Sequence, residues 1–364
     1  MPPPRPVSVR PEQRRGRGAV SSPHARYEPL AREGFDDGWD LDEEARALVT
    51  EVTLETARSI ISRNDSPDIG FDRSINPYRG CEHGCVYCFA RPTHAYLGLS
   101  PGLDFETKLF AKPNAAELLT RELAAPGYAP QAIALGANTD PYQPIERRLR
   151  VTRGVLEVLQ RTNHPVGIVT KGALVSRDLD LLGPMGRLGI AKVAVSVTTL
   201  DPVLARWMEP RASAPRKRLE TIRALTDAGV PVLVLVAPLI PGINDHELEA
   251  ILEAAHAAGA REAGYVVLRL PHELKTIVRD WLAEHYPGKA ERVFTILREM
   301  RGGRDYDAAF GTRLTGTGPY AALTARRYDT ALKRLGIARR GGLRLRTDLF
   351  VPPSRGAPGQ LSLF

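Results

Sequence analysis

From about residue 70 the chain alternates short apolar runs with longer amphipathic stretches. The runs occupy residues 71–77, 131–137, 166–170, 192–198, 230–237 and 264–270, and most are near-continuously apolar. Strands buried on both faces require that pattern, whereas half-exposed strands alternate apolar with polar. The stretches between the runs carry helical spacing. Over residues 245–258, Leu248, Ile251, Leu252 and Ala255 share one face, with Asn244 or Asp245 able to cap the start and Gly259 able to end the helix. A second helix is predicted over about residues 214–228, stopping at Gly229. Strand–helix repeats of this kind form a parallel sheet with right-handed crossovers. Six units predict an α/β fold, a partial (βα)6 barrel, not a closed eight-fold one. Ligands of such sheets sit at the carboxyl ends of the strands.

The flanks read differently. Residues 1–35 are rich in Pro, Arg, Ser and Gly and predict a disordered basic arm. An N-terminal extension over residues 36–69 begins with an acidic patch at 36–44. The barrel is expected over residues 70–290, a helical C-terminal extension over 291–340, and a basic flexible tail over 341–364. A Gly-rich loop and a helix over about residues 319–335 belong to the extension.

Charge sharpens that division. The net charge is +8, yet residues 1–33 carry +4 and residues 326–355 carry +7, which leaves the body at −3. Basic ends suit a polyanion such as DNA, although solvated tails that keep a protein in solution have the same composition. No apolar run is long enough to span a bilayer, and the longest, at residues 230–243, is broken by Pro231, Pro238 and Pro241. The N-terminal arginines are not followed by the apolar stretch of a secretory signal. The expectation is a cytoplasmic protein with no membrane contact and, by default, a monomer.

All three cysteines, Cys81, Cys85 and Cys88, fall within eight residues. So few cannot form a disulfide framework in a chain this long. The spacing C-x3-C-x2-C offers three thiolates on one loop, and thiolates bind soft metals and iron–sulfur clusters. A four-iron cluster held by three thiolates keeps one corner open for chemistry. The competing reading is a structural zinc site with His83 as fourth ligand. Ligands at 81, 83, 85 and 88 would crowd one tetrahedral ion. A redox pair at Cys85 and Cys88 would leave Cys81 unexplained.

With Tyr87 in the aromatic position, this loop at the end of a first strand resembles the radical S-adenosylmethionine superfamily over about residues 70–290. The resemblance implies a [4Fe-4S] cluster on Cys81, Cys85 and Cys88, with S-adenosyl-L-methionine chelating the open iron. One electron from an external donor would then yield methionine and a 5′-deoxyadenosyl radical. Residues 76–81, 137–144, 170–171 and 196–198 resemble the spore photoproduct lyase branch. By that resemblance, Asn138, Thr139 and Asp140 lie near the methionine amino group. Lys171 meets the carboxylate or ribose, and Ser196 and Thr198 bond the cofactor from the fourth strand. An ordinary turn at Asn138–Asp140 and helix-capping by Ser196 and Thr198 remain alternatives. Two departures stand out. The branch has a cysteine where this chain has Ala137, and a tyrosine where it has Phe89. The branch's hydrogen-return route is therefore missing, unless Tyr87, Tyr96 or Tyr142 substitutes, and repair of spore photoproduct is not expected. With no further cysteine, auxiliary clusters and a two-cysteine methyl transfer are excluded as well.

The chain ends Gln360-Leu361-Ser362-Leu363-Phe364 after a Pro/Gly linker. This segment resembles the peptide that docks bacterial repair proteins on the replication sliding clamp, with Leu361, Leu363 and Phe364 as apolar anchors and Gln360 at the rim. The expected function is a lyase-like radical enzyme acting on DNA, in repair. The alternatives are modification of RNA or of a small metabolite, and a non-enzymatic, metal-stabilised adaptor on the clamp.

Overall fold

Six parallel strands form the centre of one sheet, and each coincides with a predicted apolar run, although the first two keep only three residues of theirs. They are β1 (Arg73–Ile75), β2 (Ile133–Leu135), β3 (Val166–Thr170), β4 (Ala191–Ser196), β5 (Val232–Leu239) and β6 (Glu262–Val267). Their order in the sheet is their order in the chain, and every neighbouring pair is parallel. The computed structural model describes residues 7–9, 11–12, 14–28 and 48–353. Helices α1 (Ala115–Leu123), α2 (Val151–Arg161), α3 (Leu179–Arg187), α4 (Pro215–Asp227) and α5 (Leu248–Ala257) connect successive strands. The partial (βα)6 arrangement is thus the observed one. Two short edges extend it. Ile61–Arg63 pairs antiparallel with β1, and Ala338–Arg339 pairs parallel with β6.

Leu248, Ile251, Leu252 and Ala255 of α5 are buried, as their spacing predicts. The start of that helix differs. A 3-10 turn, Asp245–Glu247, precedes it. Asn244 does not cap it: its amide accepts from Ile240 N at 2.6 Å and donates to Thr198 O at 2.7 Å and Pro238 O at 2.9 Å. A fully buried amide so placed satisfies loop carbonyls at the ends of β4 and β5, which outweighs a cap. Beyond β6 come α6 (Leu274–His285), α7 (Ala290–Glu299) and α8 (Gly318–Leu335). No helix among the described residues is long and apolar enough to cross a membrane.

Both flanks correct the sequence reading. The expected disordered arm is buried at Arg17, Ala19, Val20, Ser21 and Ala25. The cause lies far along the chain. The Glu106 carboxylate accepts the amides of Gly18 at 2.9 Å and Ala19 at 2.8 Å, while Arg17 donates to Glu106 O at 3.0 Å and Leu48 O at 2.8 Å. A Cβ on Gly18 would lie 1.8 Å from the carbonyl oxygen of Gly84, so only glycine allows this strap to lie against the backbone of the cysteine loop.

The predicted basic tail is likewise docked as far as residue 351. Arg346 N donates to Gly189 O and Val351 N to Thr162 O, each at 2.9 Å. Four arginines from α8 onward are ion-paired within the protein: Arg327 with Glu249, Arg334 with Glu253, Arg339 with Asp329 and Arg346 with Asp348. Residues 354–364, including the clamp-like motif, and the acidic patch lie outside the described residues.

The docked tail has a pH signature. Phe350 packs edge-on against His164, ring centroids 5.3 Å apart, and Tyr128 Oη bonds His164 Nε2 at 2.8 Å. Burial holds His164 down at about 4 from an ordinary 6.5. The native state therefore keeps a neutral ring that the unfolded chain would protonate. Its contribution to stability is intact above about pH 6.5 and is lost as pH falls towards 4, up to about 3 kcal/mol. Urea melts at pH 7, 6 and 5 should show that loss, and His164→Leu should flatten the slope while lowering stability at pH 7. An unchanged slope would mean the ring is not buried neutral.

Candidate functional site

The cysteine loop follows a short strand, Tyr78–Arg79, of a separate three-stranded sheet. It sits where the carboxyl ends of β1 to β4 open. Backbone bonds fix its course: Cys81 N to Phe105 O at 2.9 Å, Val86 N to Met208 O at 3.0 Å, and Cys88 N to Cys85 O at 3.2 Å. Gly84 turns it with φ +68°, and a Cβ there would approach Glu106 Oε2 to 2.7 Å. The guanidinium of the fully buried Arg91 clamps the loop. It donates to Cys85 O at 2.8 Å, Gly84 O at 3.1 Å, Pro101 O at 3.1 Å and Gly102 O at 2.7 Å, and pairs with the equally buried Glu106. Every loop carbonyl that Arg91 meets is thereby satisfied away from water.

The four sequence stretches singled out as cofactor-binding do converge here. Asn76 Oδ1 accepts Asn138 N at 2.9 Å. Gln143 accepts Glu82 N at 2.9 Å and donates to Gly80 O at 3.1 Å, joining the second stretch to the cysteine loop. Asp140 accepts Thr170 Oγ1 at 2.7 Å and the backbone N of Lys171 at 2.7 Å. Its carboxylate lies 3.3 Å from His83 Nδ1, without the alignment of a hydrogen bond. Burial alone would raise the Asp140 carboxyl, but His83 and these donors hold it down at about 2.

A second knot closes the site beneath Tyr87. The buried Glu209 carboxylate accepts hydrogen bonds from Tyr87 Oη and Thr198 Oγ1 and pairs with the buried Arg218. Arg218 also donates to Ser196 O at 3.0 Å and Ser213 O at 2.7 Å. Burial would raise Glu209, yet Arg218 and Lys171 hold it below its ordinary range. Lys171 Nζ stands 5.6 Å from the Tyr87 ring centroid; burial would lower its ammonium, but the negative charge of Glu209 opposes this and keeps it protonated. No acceptor among the described residues takes a hydrogen bond from that ammonium.

Each expected residue therefore has a definite place. The hydroxyls of Thr139 and Thr198 are spent inside the protein, the former on Tyr78 O at 2.8 Å. Ser196 contributes its carbonyl to Arg218. The Lys171 ammonium and the exposed Asn138 side chain remain open to a ligand. Sequence reasoning missed Arg91, Glu106, Glu209 and Arg218, because charged residues in helical or loop segments read as surface, and it gave Gln143, inside the stretch 137–144, no role of its own. The one available signal is Arg91, three residues beyond the last cysteine.

The donor set fits an iron–sulfur cluster. The three thiols are unbridged, with Cys81 and Cys85 buried and Cys88 half-buried. Burial pushes the Cys85 thiol up to about 12 and Cys81 well above its ordinary value, so their ionisation needs a multivalent cationic centre. Among the described residues no three Cys, His, Asp or Glu side chains already converge on one ion. His83 faces Asp140 instead of completing a zinc tetrahedron.

The model of the Radical SAM superfamily matches residues 75–255. An uncharacterised protein of Mycobacterium tuberculosis is 39% identical over 230 residues, which is 63% of this chain and 68% of that one. An uncharacterised protein of Methanocaldococcus jannaschii is 25% identical over 173 residues, 48% of this chain and 62% of that one. Among solved structures, spore photoproduct lyase complexed with dinucleoside spore photoproduct has the same fold, with a TM-score of 0.57 at 14% identity over 79% of this chain and 81% of that one.

Proposed function

Because the chain belongs to the radical S-adenosylmethionine superfamily, we propose that it is a radical enzyme acting on DNA, with a lyase-like role in repair. Cys81, Cys85 and Cys88 would hold a [4Fe-4S] cluster, and Lys171 and Asn138 would meet S-adenosyl-L-methionine. When bound, the reduced cluster would supply one electron for reductive cleavage of the sulfonium of S-adenosyl-L-methionine. The rest is the work of this chain. Arg91 and Glu106 hold the loop that carries the thiols. Asp140 fixes the backbone of Lys171, and Glu209 fixes Tyr87 beneath its ammonium. Burial of Cys81 and Cys85 excludes water from the loop.

One observation carries this reading. The Lys171 ammonium, without a hydrogen-bond acceptor among the described residues, stands 5.6 Å from the Tyr87 ring centroid, which supports an anionic ligand group beside the cysteine loop. The step to DNA rests on less. It is supported by the excess of base at both ends of the sequence, and by a fold that spore photoproduct lyase uses around a dinucleoside. Internal pairing of Arg327, Arg334, Arg339 and Arg346 removes part of the first support. Residues 360–364 would deliver the enzyme to the sliding clamp, and an external reductant would supply the electron.

The test is an anaerobic preparation, reconstituted with iron and sulfide, reduced, and assayed by chromatography for 5′-deoxyadenosine. Formation of the nucleoside is expected, with a higher rate when DNA is added. No nucleoside from a cluster-loaded sample would sink the radical reading. A rate indifferent to DNA, with no salt-sensitive binding, would sink the DNA reading alone.

A further inference from the structure

Two aromatic surfaces with arginines over them stand exposed beside the cysteine loop, and nothing in the site described above uses them. Tyr27 and Tyr96 keep 58% and 69% of their surface in solvent although their rings stack, with centroids 5.1 Å apart and planes 28° from parallel. Arg26 holds the pair in place. The centre of its guanidinium lies 5.4 Å from the Tyr27 centroid and 5.9 Å from that of Tyr96. Its Nη2 donates to Pro92 O at 3.1 Å, and its Nε pairs with Glu273 at 2.7 Å. Arg26 is thus committed to the protein and rigidifies the stack.

Glu273 belongs to the loop that leaves the carboxyl end of β6. The same loop carries Arg269, whose guanidinium lies 5.3 Å from the centroid of Phe89. Phe89 directly follows Cys88 and is 44% exposed. Arg269 is less committed than Arg26: Nη2 reaches Tyr306 Oη at 3.2 Å, and its buried Nε has no partner. The contacts run unbroken from Tyr96 through Tyr27, Arg26 and Glu273 to the loop of Arg269, and so to Phe89. This is the end of the sheet where ligands of parallel α/β folds bind.

The geometry points to a face for unpaired nucleotides: a base stacks on the Tyr27–Tyr96 platform, and a neighbouring nucleotide meets Phe89 with its phosphate on Arg269. The inference rests on the nucleic-acid reading above and narrows it to single-stranded or extruded DNA. Each base offers a π-face that an exposed tyrosine pair can cover, and a duplex hides those faces inside its own stack. Arginine over an aromatic ring supplies the cation without leaving the plane of stacking. The acidic member, Glu273, is mostly buried and ion-paired with Arg26, which offsets its charge towards an approaching phosphate.

The experiment is fluorescence anisotropy of the reconstituted protein with fluorescein-labelled oligodeoxythymidine of about 20 nucleotides, against a duplex of equal length. Wild type is expected to bind the single strand more tightly. Tyr27→Ala with Tyr96→Ala should weaken it about tenfold, and Tyr27→Phe with Tyr96→Phe should restore most of the loss, because stacking needs the ring and not the hydroxyl. If the double alanine variant melts at a lower temperature, Tyr96→Ala alone reads the same loss on a side chain mostly in solvent. Unchanged single-strand affinity in the alanine variants, or a preference for duplex, overturns the platform while leaving the nucleic-acid reading standing. A wild type that binds neither form overturns both.

Discussion

A Cys85→Ala protein is expected to purify folded but to retain little iron or sulfide after reconstitution. Its 5′-deoxyadenosine should fall to the level of a reaction without protein. The two halves of this expectation have separate causes. Cys85 packs in the cluster of Ala19, Val20, Val86, Tyr87, Leu204 and Met208. There a free thiol behaves as a small apolar group, and removing one buried heavy atom costs on the order of 1 kcal/mol. That is too little to unfold a domain of this size. The chemical loss is complete because only three thiols are available and no other cysteine exists to replace one. Far-UV circular dichroism and the thermal midpoint read the first half, and iron, sulfide and nucleoside assays the second. A variant that keeps its iron and its nucleoside would show that the cysteines are not the ligands.

What could be read from the sequence, and what could not, divides along the range of the interactions. β3 is found at its predicted limits because a five-residue apolar run lies between Pro165 and the Lys171-Gly172 turn, so local signals suffice. The cysteines are legible for the same reason, since their spacing is the site. Asp140 and Lys171 were legible as residue types at strand ends. Their mutual bond, 31 residues apart, was not. The strap at Gly18 and Ala19 was misread as an arm because its composition is that of disorder. Its order comes from a carboxylate 87 and 88 residues away. The buried pairs Arg91 with Glu106 and Arg218 with Glu209 were invisible because a charge is ordinarily a surface signal, and nothing in a single sequence names its partner. The basic C-terminal segment looked like free charge. Glu249 and Glu253 on α5 face α8 and take up Arg327 and Arg334.

Arg218→Met is expected to cost about 3–5 kcal/mol of folding stability, among the largest effects of any single change in this chain. Arg218 and Glu209 are 2% and 0% exposed in their side chains. Methionine fills much of the volume, so the loss comes from charge and not from a cavity. It leaves the Glu209 carboxylate buried with only the Tyr87 and Thr198 hydroxyls and the charge of Lys171, and it frees the carbonyls of Ser196 and Ser213. In the wild type, burial would raise Glu209, but Arg218 and Lys171 hold it below its ordinary range. Its contribution is therefore present at neutral pH and fades as acid protonates it. Without Arg218 the burial effect prevails, the carboxyl takes a proton at a higher pH, and the neutral form is cheaper to bury. The deficit should be largest near pH 7 and shrink towards pH 5. Adding Glu209→Gln should recover part of it at pH 7, since an amide still accepts from Tyr87 and Thr198 and carries no charge. Urea midpoints for wild type, Arg218→Met and the double variant at both pH values decide the matter. A loss below about 1 kcal/mol, or a loss equal at both pH values, would mean that water reaches Glu209 and that the pair does not hold Tyr87 and Lys171 in place.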